Sequence, residues 1–277
     1  VVKRPFRYLS GFTEADKTRF HGRVLATAQL ADLVVYNSVV FLTGYSGVGK
    51  TSLVRAGLVP RLNSLRMNSV YLACDQDPVS DAATALVPGE RDLLHALRAW
   101  YTPESGRLVV IFDELEFLCD STQESSLAAL FEGIATSLSE FGESLTFVLV
   151  GDDSTLPALK PLLPRLLETP PVMRLGPLTE RGAAEALIRP LEDKGVSISQ
   201  EGLSALMSAL GAHGEHQEWS DEGQVDPCSL QLLGSLLYEG LAEDFRGELS
   251  LAHCAHVLPI EGLQEEWFMR ALERVLL

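Results

Sequence analysis

The stretch Gly44-Tyr45-Ser46-Gly47-Val48-Gly49-Lys50-Thr51 limits what this chain can fold into more than any other. It fits G-x-x-x-x-G-K-[ST] without a gap and follows Val39 to Leu42, a short apolar run of β-branched, aromatic and aliphatic residues. The order predicted is strand, loop, helix. Glycines allow backbone conformations closed to other residues, so successive N–H groups can turn inward around phosphate oxygens. A helix beginning near Lys50 aims its positive end at the same place. On this reading Gly44, Tyr45, Ser46, Gly47, Val48, Gly49, Lys50, Thr51 and Ser52 bind ATP or ADP. Lys50 reaches the terminal phosphates, and Thr51 is a ligand of Mg2+.

A second signal lies at Leu108-Val109-Val110-Ile111-Phe112-Asp113-Glu114-Leu115-Glu116, read as one strand ending in acids. An uninterrupted apolar strand is buried on both faces of a parallel sheet, and its carboxyl end opens at the ligand edge. Placed beside the strand that precedes the glycine loop, it turns Asp113 toward the Mg2+ held by Thr51. Glu114 then orients and deprotonates an attacking water. Lys50, Asp113 and Glu114 form the expected catalytic set, and Thr51 with Asp113 the metal ligands.

Strand and helix alternate around these signals. A helix is expected over about 14 to 18 behind the cap Thr13, then one over Val24 to Val35 and one over Ser52 to Leu62 that Pro60 kinks or stops. Ser69 to Cys74 reads as a strand, Val79 to Leu86 and Glu90 to Trp100 as helices, and Ser125 to Phe141 as a helix returning over the sheet. Leu145 to Gly151 and Pro171 to Leu175 complete the strands. Asp152 and Asp153, at the end of the former, can touch Mg2+ or water or cap the next helix, and capping is the better reading. From Thr179 the pattern reads as helices only: to about Lys194, Gln200 to Leu210, Pro227 to Leu241, and more after Leu251 and Leu263. The fold class predicted is α/β, a three-layer sandwich around a parallel sheet of the P-loop NTPase type, followed by an all-helical lid. Residues 1–177 form the core with its lead-in, and 178–277 the lid and the start of a further helical region.

Composition narrows the function classes. The 277 residues carry 22 basic and 38 acidic side chains, a net charge of −16, which disfavours direct binding to nucleic acid phosphates or an anionic membrane. Four scattered cysteines, Cys74, Cys119, Cys228 and Cys254, suit reduced thiols. No apolar run is long enough to span a bilayer, so a cytoplasmic protein is expected. The chain starts at Val1 and reads as a piece of a longer protein. His213 and His216, in an acidic loop, and His253 with Cys254 and His256 have metal-like spacing but no third ligand. Arg23, in Phe20-His21-Gly22-Arg23, either meets nucleotide or an acidic partner or lies solvated in a helix-capping turn.

Taken together, Arg4-Pro5-Phe6, Phe12-Thr13-Glu14-Ala15-Asp16, Phe20 to Arg23, Gly44 to Pro60 and Asp77-Pro78 resemble the signal-transduction ATPases with numerous domains, the STAND NTPases. The match is to their prokaryotic "novel" branch, often found in antiphage conflict systems, which is AAA+-like in architecture. The resemblance implies that Phe20 to Arg23 is the Gly-Arg nucleotide-contact motif, with Arg23 on the nucleotide, and that Asp113 is the Mg2+ aspartate. It also implies that Pro227 is a lid proline packing near the base. Two positions depart from the branch: Glu114 stands where Gln is common, and Gly151 where an Arg often ends the fourth strand. The function implied is an ATP-binding, slowly hydrolysing switch that controls self-association through the NTPase domain, with sensor and effector regions outside this stretch. An AAA+-like ATPase assisting DNA loading or transposition is the alternative. A degenerate scaffold is disfavoured by intact Lys50, Thr51, Asp113 and Glu114.

Overall fold

A computed structural model describes residues 5–74, 77–102, 104–119, 124–166, 168–212, 224–242 and 245–255. The expected acidic loop with His213 and His216, His256, and the helix after Leu263 lie outside them. The chain divides into two compact units. One comprises residues 25–46 and 50–176, the other 1–24, 47–49 and 177–277.

The first unit is the α/β body. After α1 (Val24–Tyr36) and β1 (Val39–Thr43), a helical run extends from α2 (Lys50–Ser52) through a π-helical stretch (Leu53–Leu58) into α3 (Val59–Ser64). Then come β2 (Asn68–Ala73), α4 (Pro78–Leu86), α5 (Leu93–Trp100), β3 (Leu108–Asp113), α6 (Glu124–Phe141), β4 (Leu145–Val150), α7 (Thr155–Leu159) and β5 (Val172–Arg174). The strands form one parallel sheet in the order β2-β3-β4-β1-β5. Every residue of β1, β3 and β4 is buried, which their unbroken apolar sequences require. Phe112 and Phe147 stack at 6.2 Å between centroids within a core that takes in Leu93, Leu97, Leu130, Phe131 and Ile134 from the helices. Each such side chain removed from water contributes about 1.5–3 kcal/mol.

Three expectations for this unit are corrected. The strand β3 does not neighbour β1, because β4 inserts between them; apolar patterning says that a strand is central, not which strand it pairs with. Residues Leu115 and Glu116 are not strand. Glu114 turns into the left-handed region (φ 62°) and Leu115–Leu118 is a 3-10 turn, so the extended run ends at Asp113. Pro60 does not stop its helix, which continues to Ser64. It sits in the first turn after the π-helical stretch, whose closing bond runs from Val59 N–H to the Val54 carbonyl, so the widened turn changes the i→i−4 ladder just where a proline has no N–H to give.

The second unit is mostly helical: α8 (Glu180–Glu192), α9 (Gln200–Ala212), α10 (Pro227–Glu239) and α11 (Leu251–Cys254). It is not helices only, as expected, since β6 (Leu178–Thr179) pairs antiparallel with β8 (Gln224–Val225), and β7 (Val196–Ile198) pairs parallel with β9 (Gly247–Leu249). Strands of two or three residues are too short to show a period in sequence. The N-terminal lead-in, read with the core, groups with this unit instead: Phe6 is buried among Leu187, Leu230 and Leu233, where its ring fills the space a side chain at Gly234 would need. The expected helix behind Thr13 is only a 3-10 turn, Glu14–Asp16, because Asp16 folds back and its Oδ2 accepts from Thr13 N and Oγ1. Asp16 is buried and ion-paired with Arg7 and Arg19. Gly22, the third residue of Phe20 to Arg23, lies so close to Gly182 that a Cβ on it would stand 2.2 Å from the Gly182 carbonyl oxygen.

Candidate phosphate-binding loop and acidic strand end

Parallel pairing brings the carboxyl ends of all five strands to one edge. The register there sets Thr43 against Arg174, Leu42 against Val150, and Ala73 against Asp113. The glycine loop leaves β1 at this edge. Gly47 and Gly49 have φ of +86° and +95°; nothing lies within 4 Å of where a Cβ on Gly49 would be, so backbone conformation alone selects glycine there. Lys50, 8% exposed, folds back over the loop and donates from Nζ to the carbonyls of Gly44 (2.9 Å) and Tyr45 (3.2 Å). Thr51 and Ser52 follow it, both half-buried, in the first helical turn. Beyond β4, Asp152 Oδ1 accepts from the N–H groups of Ser154 (3.0 Å) and Thr155 (3.2 Å), the capping arrangement, while Asp153 pairs with Arg174 at 2.7 Å. Asp152 is held below the usual carboxylate range by the Ser154 hydroxyl, against the effect of burial, with Thr155 and the charge of Lys50 adding to it.

Asp113 is 1% exposed, yet both of its oxygens are engaged. Oδ1 accepts from Glu114 N at 2.9 Å, and Oδ2 accepts from the Tyr71 phenol at 2.8 Å. Burial pushes the Tyr71 hydroxyl up, and the Asp113 charge and hydrogen bond push it further, so it remains a donor. Glu114 is half-buried, in a backbone conformation that a non-glycine residue adopts only at a cost. Its carboxyl is raised above the ordinary value, first by burial and then by the charges of Asp113 and Glu116. A carboxylate held more basic in this way is suited to take a proton from water. Thr51 and Asp113 supply a hydroxyl and a carboxylate, hard oxygen donors of the kind Mg2+ takes. Among the described residues there is no group of three or more His, Cys, Asp or Glu that could hold a metal ion.

The tip of the loop, Gly47–Gly49, groups with the second unit. There Arg23, 9% exposed, donates from Nη2 to the Val48 carbonyl (2.9 Å) and from Nη1 to the Pro177 carbonyl (3.1 Å). It is therefore neither the solvated cap nor a side chain pointing freely into solvent. Pro227 is the first residue of α10, behind the cap Asp226, whose Oδ2 accepts from Ser229 N at 2.8 Å. Its neighbour Cys228 makes the contact: Sγ donates to the Gly47 carbonyl at 3.3 Å, and burial raises its thiol to about 11. Sequence reasoning missed Cys228 and Tyr71. A cysteine in an apolar helix start carries no signal; a tyrosine near the end of a strand, two residues out of step with an acidic neighbour, carries a weak one.

A five-stranded parallel sheet in this order, with the glycine loop at its second-last strand and a buried aspartate ending another, is the α/β fold of the P-loop ATPases. The profile of the Novel STAND NTPase 1 family matches residues 5–253, and the chain belongs to that family. It is a nucleotide-binding NTPase. No curated protein matches the chain. Among solved structures, the Walker-type ATPase PABY2304 of Pyrococcus abyssi is similar at 15% identity and a TM-score of 0.64, over 97% of this chain and 79% of that one. The Aeropyrum pernix ORC2 protein, solved in ADPNP–ADP complexes, gives 16% identity and a TM-score of 0.61 over 88% and 68%. The Aeropyrum pernix ORC1 protein, solved in complex with DNA, gives 18% and 0.56 over 89% of this chain and 65% of that one. At such identities the likeness is one of fold. No helix among the described residues is long and apolar enough to cross a membrane.

Proposed function

We propose that this chain binds ATP with Mg2+ at Gly44 to Ser52, hydrolyses it slowly, and uses the nucleotide state as a switch that controls self-association and activation of a larger signalling or defence protein. One observation carries the reading. The tip of the proposed phosphate loop, Gly47 to Gly49, groups with the mostly helical unit, and within that unit Arg23 holds the Val48 carbonyl and Cys228 the Gly47 carbonyl. Phosphates drawn to the loop's N–H groups reorient the peptides whose carbonyls those side chains hold, so occupancy is felt by that unit. A ligand shifts such an element by its differential affinity for two states, and a few kcal/mol is enough to reverse their populations.

In the chemistry that follows, the loop's N–H groups and Lys50 bind and orient the phosphates, leaving Gly44 and Tyr45 carbonyls that Lys50 now engages. Thr51 and Asp113 would hold Mg2+, and the ion when bound would supply positive charge beside the phosphates. Glu114 accepts the proton of the attacking water. Arg23 and Pro227 are proposed to contribute to nucleotide binding, Arg23 through the loop backbone. No arginine stands at Gly151, so turnover by this chain alone is slow and is completed by a neighbouring subunit or a further region.

The test is steady-state hydrolysis by the purified chain with and without duplex and single-stranded DNA at moderate salt. Turnover far below about 10 per second, the middle of the range for enzymes, and indifference to DNA are expected. Fast turnover or strong stimulation by DNA contradicts the switch and favours a DNA-assisting motor.

A further inference from the structure

Tyr71 is absorbed by none of the roles above. It lies on the edge strand β2, where Ala73 is the register partner of Asp113. Residues two apart on a strand share a face, so Tyr71 lies diagonally from Asp113 on the same side of the sheet, within reach of a long aromatic side chain. Its phenol closes that distance with a 2.8 Å bond to Oδ2. The Arg55 guanidinium lies over the same ring, 4.8 Å from its centroid. Arg55 belongs to the π-helical stretch that continues directly from Lys50, Thr51 and Ser52. The glycine-loop helix and the acidic strand are thus joined by a chain of three side chains: Arg55 on Tyr71, Tyr71 on Asp113.

We infer that Tyr71 is a positioning residue for the metal: its hydroxyl fixes the Asp113 carboxylate in one rotamer and orientation, and Arg55 holds Tyr71 in place from the loop helix. The inference rests on the nucleotide-site reading above. A carboxylate with one oxygen held by a phenol and the other by the Glu114 N–H presents its remaining lone pairs in a set direction. A carboxylate without the phenol can rotate, and each ligation by it then costs the ordering that Tyr71 supplies beforehand. At neutral pH the phenol only donates to the carboxylate, so it adds no charge to the site. What it changes is the coupling between metal and nucleotide, not nucleotide binding itself.

The experiment measures ATP affinity by calorimetry in excess Mg2+ and again in EDTA, for the wild type and for Tyr71→Phe, which keeps the ring under Arg55 and removes only the hydroxyl. The ratio of the two affinities reports the metal coupling. Tyr71→Phe is expected to cut this ratio roughly tenfold, the usual effect of losing a partner of a metal ligand, and to leave the EDTA affinity unchanged. In an Asp113→Asn background Tyr71→Phe should have no further effect on the ratio. Electron paramagnetic resonance of Mn2+ with ATP should show the same weakening without any turnover. An equal drop in both affinities, or a ratio unchanged from the wild type, overturns the inference while leaving the nucleotide site standing. Absence of ATP binding by the wild type, in either buffer, overturns the site and the inference with it.

Discussion

The two units of this chain bury their charges differently. In the α/β unit the central strands carry no charge until their ends, and the buried ionic groups, Lys50 and Asp113, stand at the carboxyl edge on elements that an apolar core holds from behind. Among the described residues of the mostly helical unit the buried charges, Asp16 and Arg23, are ties: Asp16 gathers Thr13, Arg7 and Arg19, and Arg23 joins Val48 to Pro177. The same physical expense of desolvating a charge is met in one unit at the proposed nucleotide site and in the other to hold a lead-in whose described residues make no strand and only a 3-10 turn. Mutation should separate the two cases. A charge removed from a tie is read in stability, and a charge removed from the site is read in binding or turnover.

The largest stability effect is expected at Asp16. Asp16→Ala removes the buried carboxylate that accepts from Thr13 and pairs with Arg7 and Arg19 and should cost about 3 kcal/mol, measured by denaturant unfolding, with ATP affinity per folded molecule little changed. Burial raises the Asp16 carboxyl, but the Thr13 backbone and hydroxyl bonds and the two arginines outweigh it, so it is held below the ordinary aspartate value. Its contribution is therefore complete above about pH 4 and is lost as pH falls through the lowered value. A stability profile flat from pH 5 to pH 2 that matches Asp16→Ala would remove the distinction between ties and site.

Next in size is Glu114. Glu114→Gln should keep ATP bound and slow hydrolysis by roughly a hundredfold or more, the worth of a positioned general base, with unfolding free energy unchanged or slightly raised. Wild-type turnover should fall on acidification as Glu114 takes up its proton, and Glu114→Gln should lack that limb. The same loss in Glu116→Gln alone would move the base to Glu116.

How far this was readable from sequence follows from where the information sits. The loop, the central strands and Asp113 are local patterns: a spaced glycine motif and apolar runs that only a strand buried on both faces explains. Strand order is not local. Nothing in Leu108 to Asp113 says that β4 and not β1 lies beside it, and only the fold shows the pairing. The stop offered for Pro60 does not occur, because a proline's effect depends on the ladder before it, and a π-helical turn has no sequence period of its own. The lead-in to Val24 looked like part of the core it precedes, while its buried Phe6 and the Gly22–Gly182 approach belong to contacts more than a hundred residues away. Tyr71 and Cys228 are of the same kind: each acts through one bond to a distant residue, Asp113 or Gly47.

The central claim is that the edge built around Lys50 binds nucleotide. Calorimetry of ATP with Mg2+ against the wild type and Lys50→Ala tests it most directly, since the substitution removes the cation that now folds over Gly44 and Tyr45 and leaves the core behind it intact. Affinity should fall by at least tenfold, about 1.4 kcal/mol, with the unfolding transition preserved. Binding by Lys50→Ala as tight as by the wild type would show that the nucleotide, if bound, is bound elsewhere.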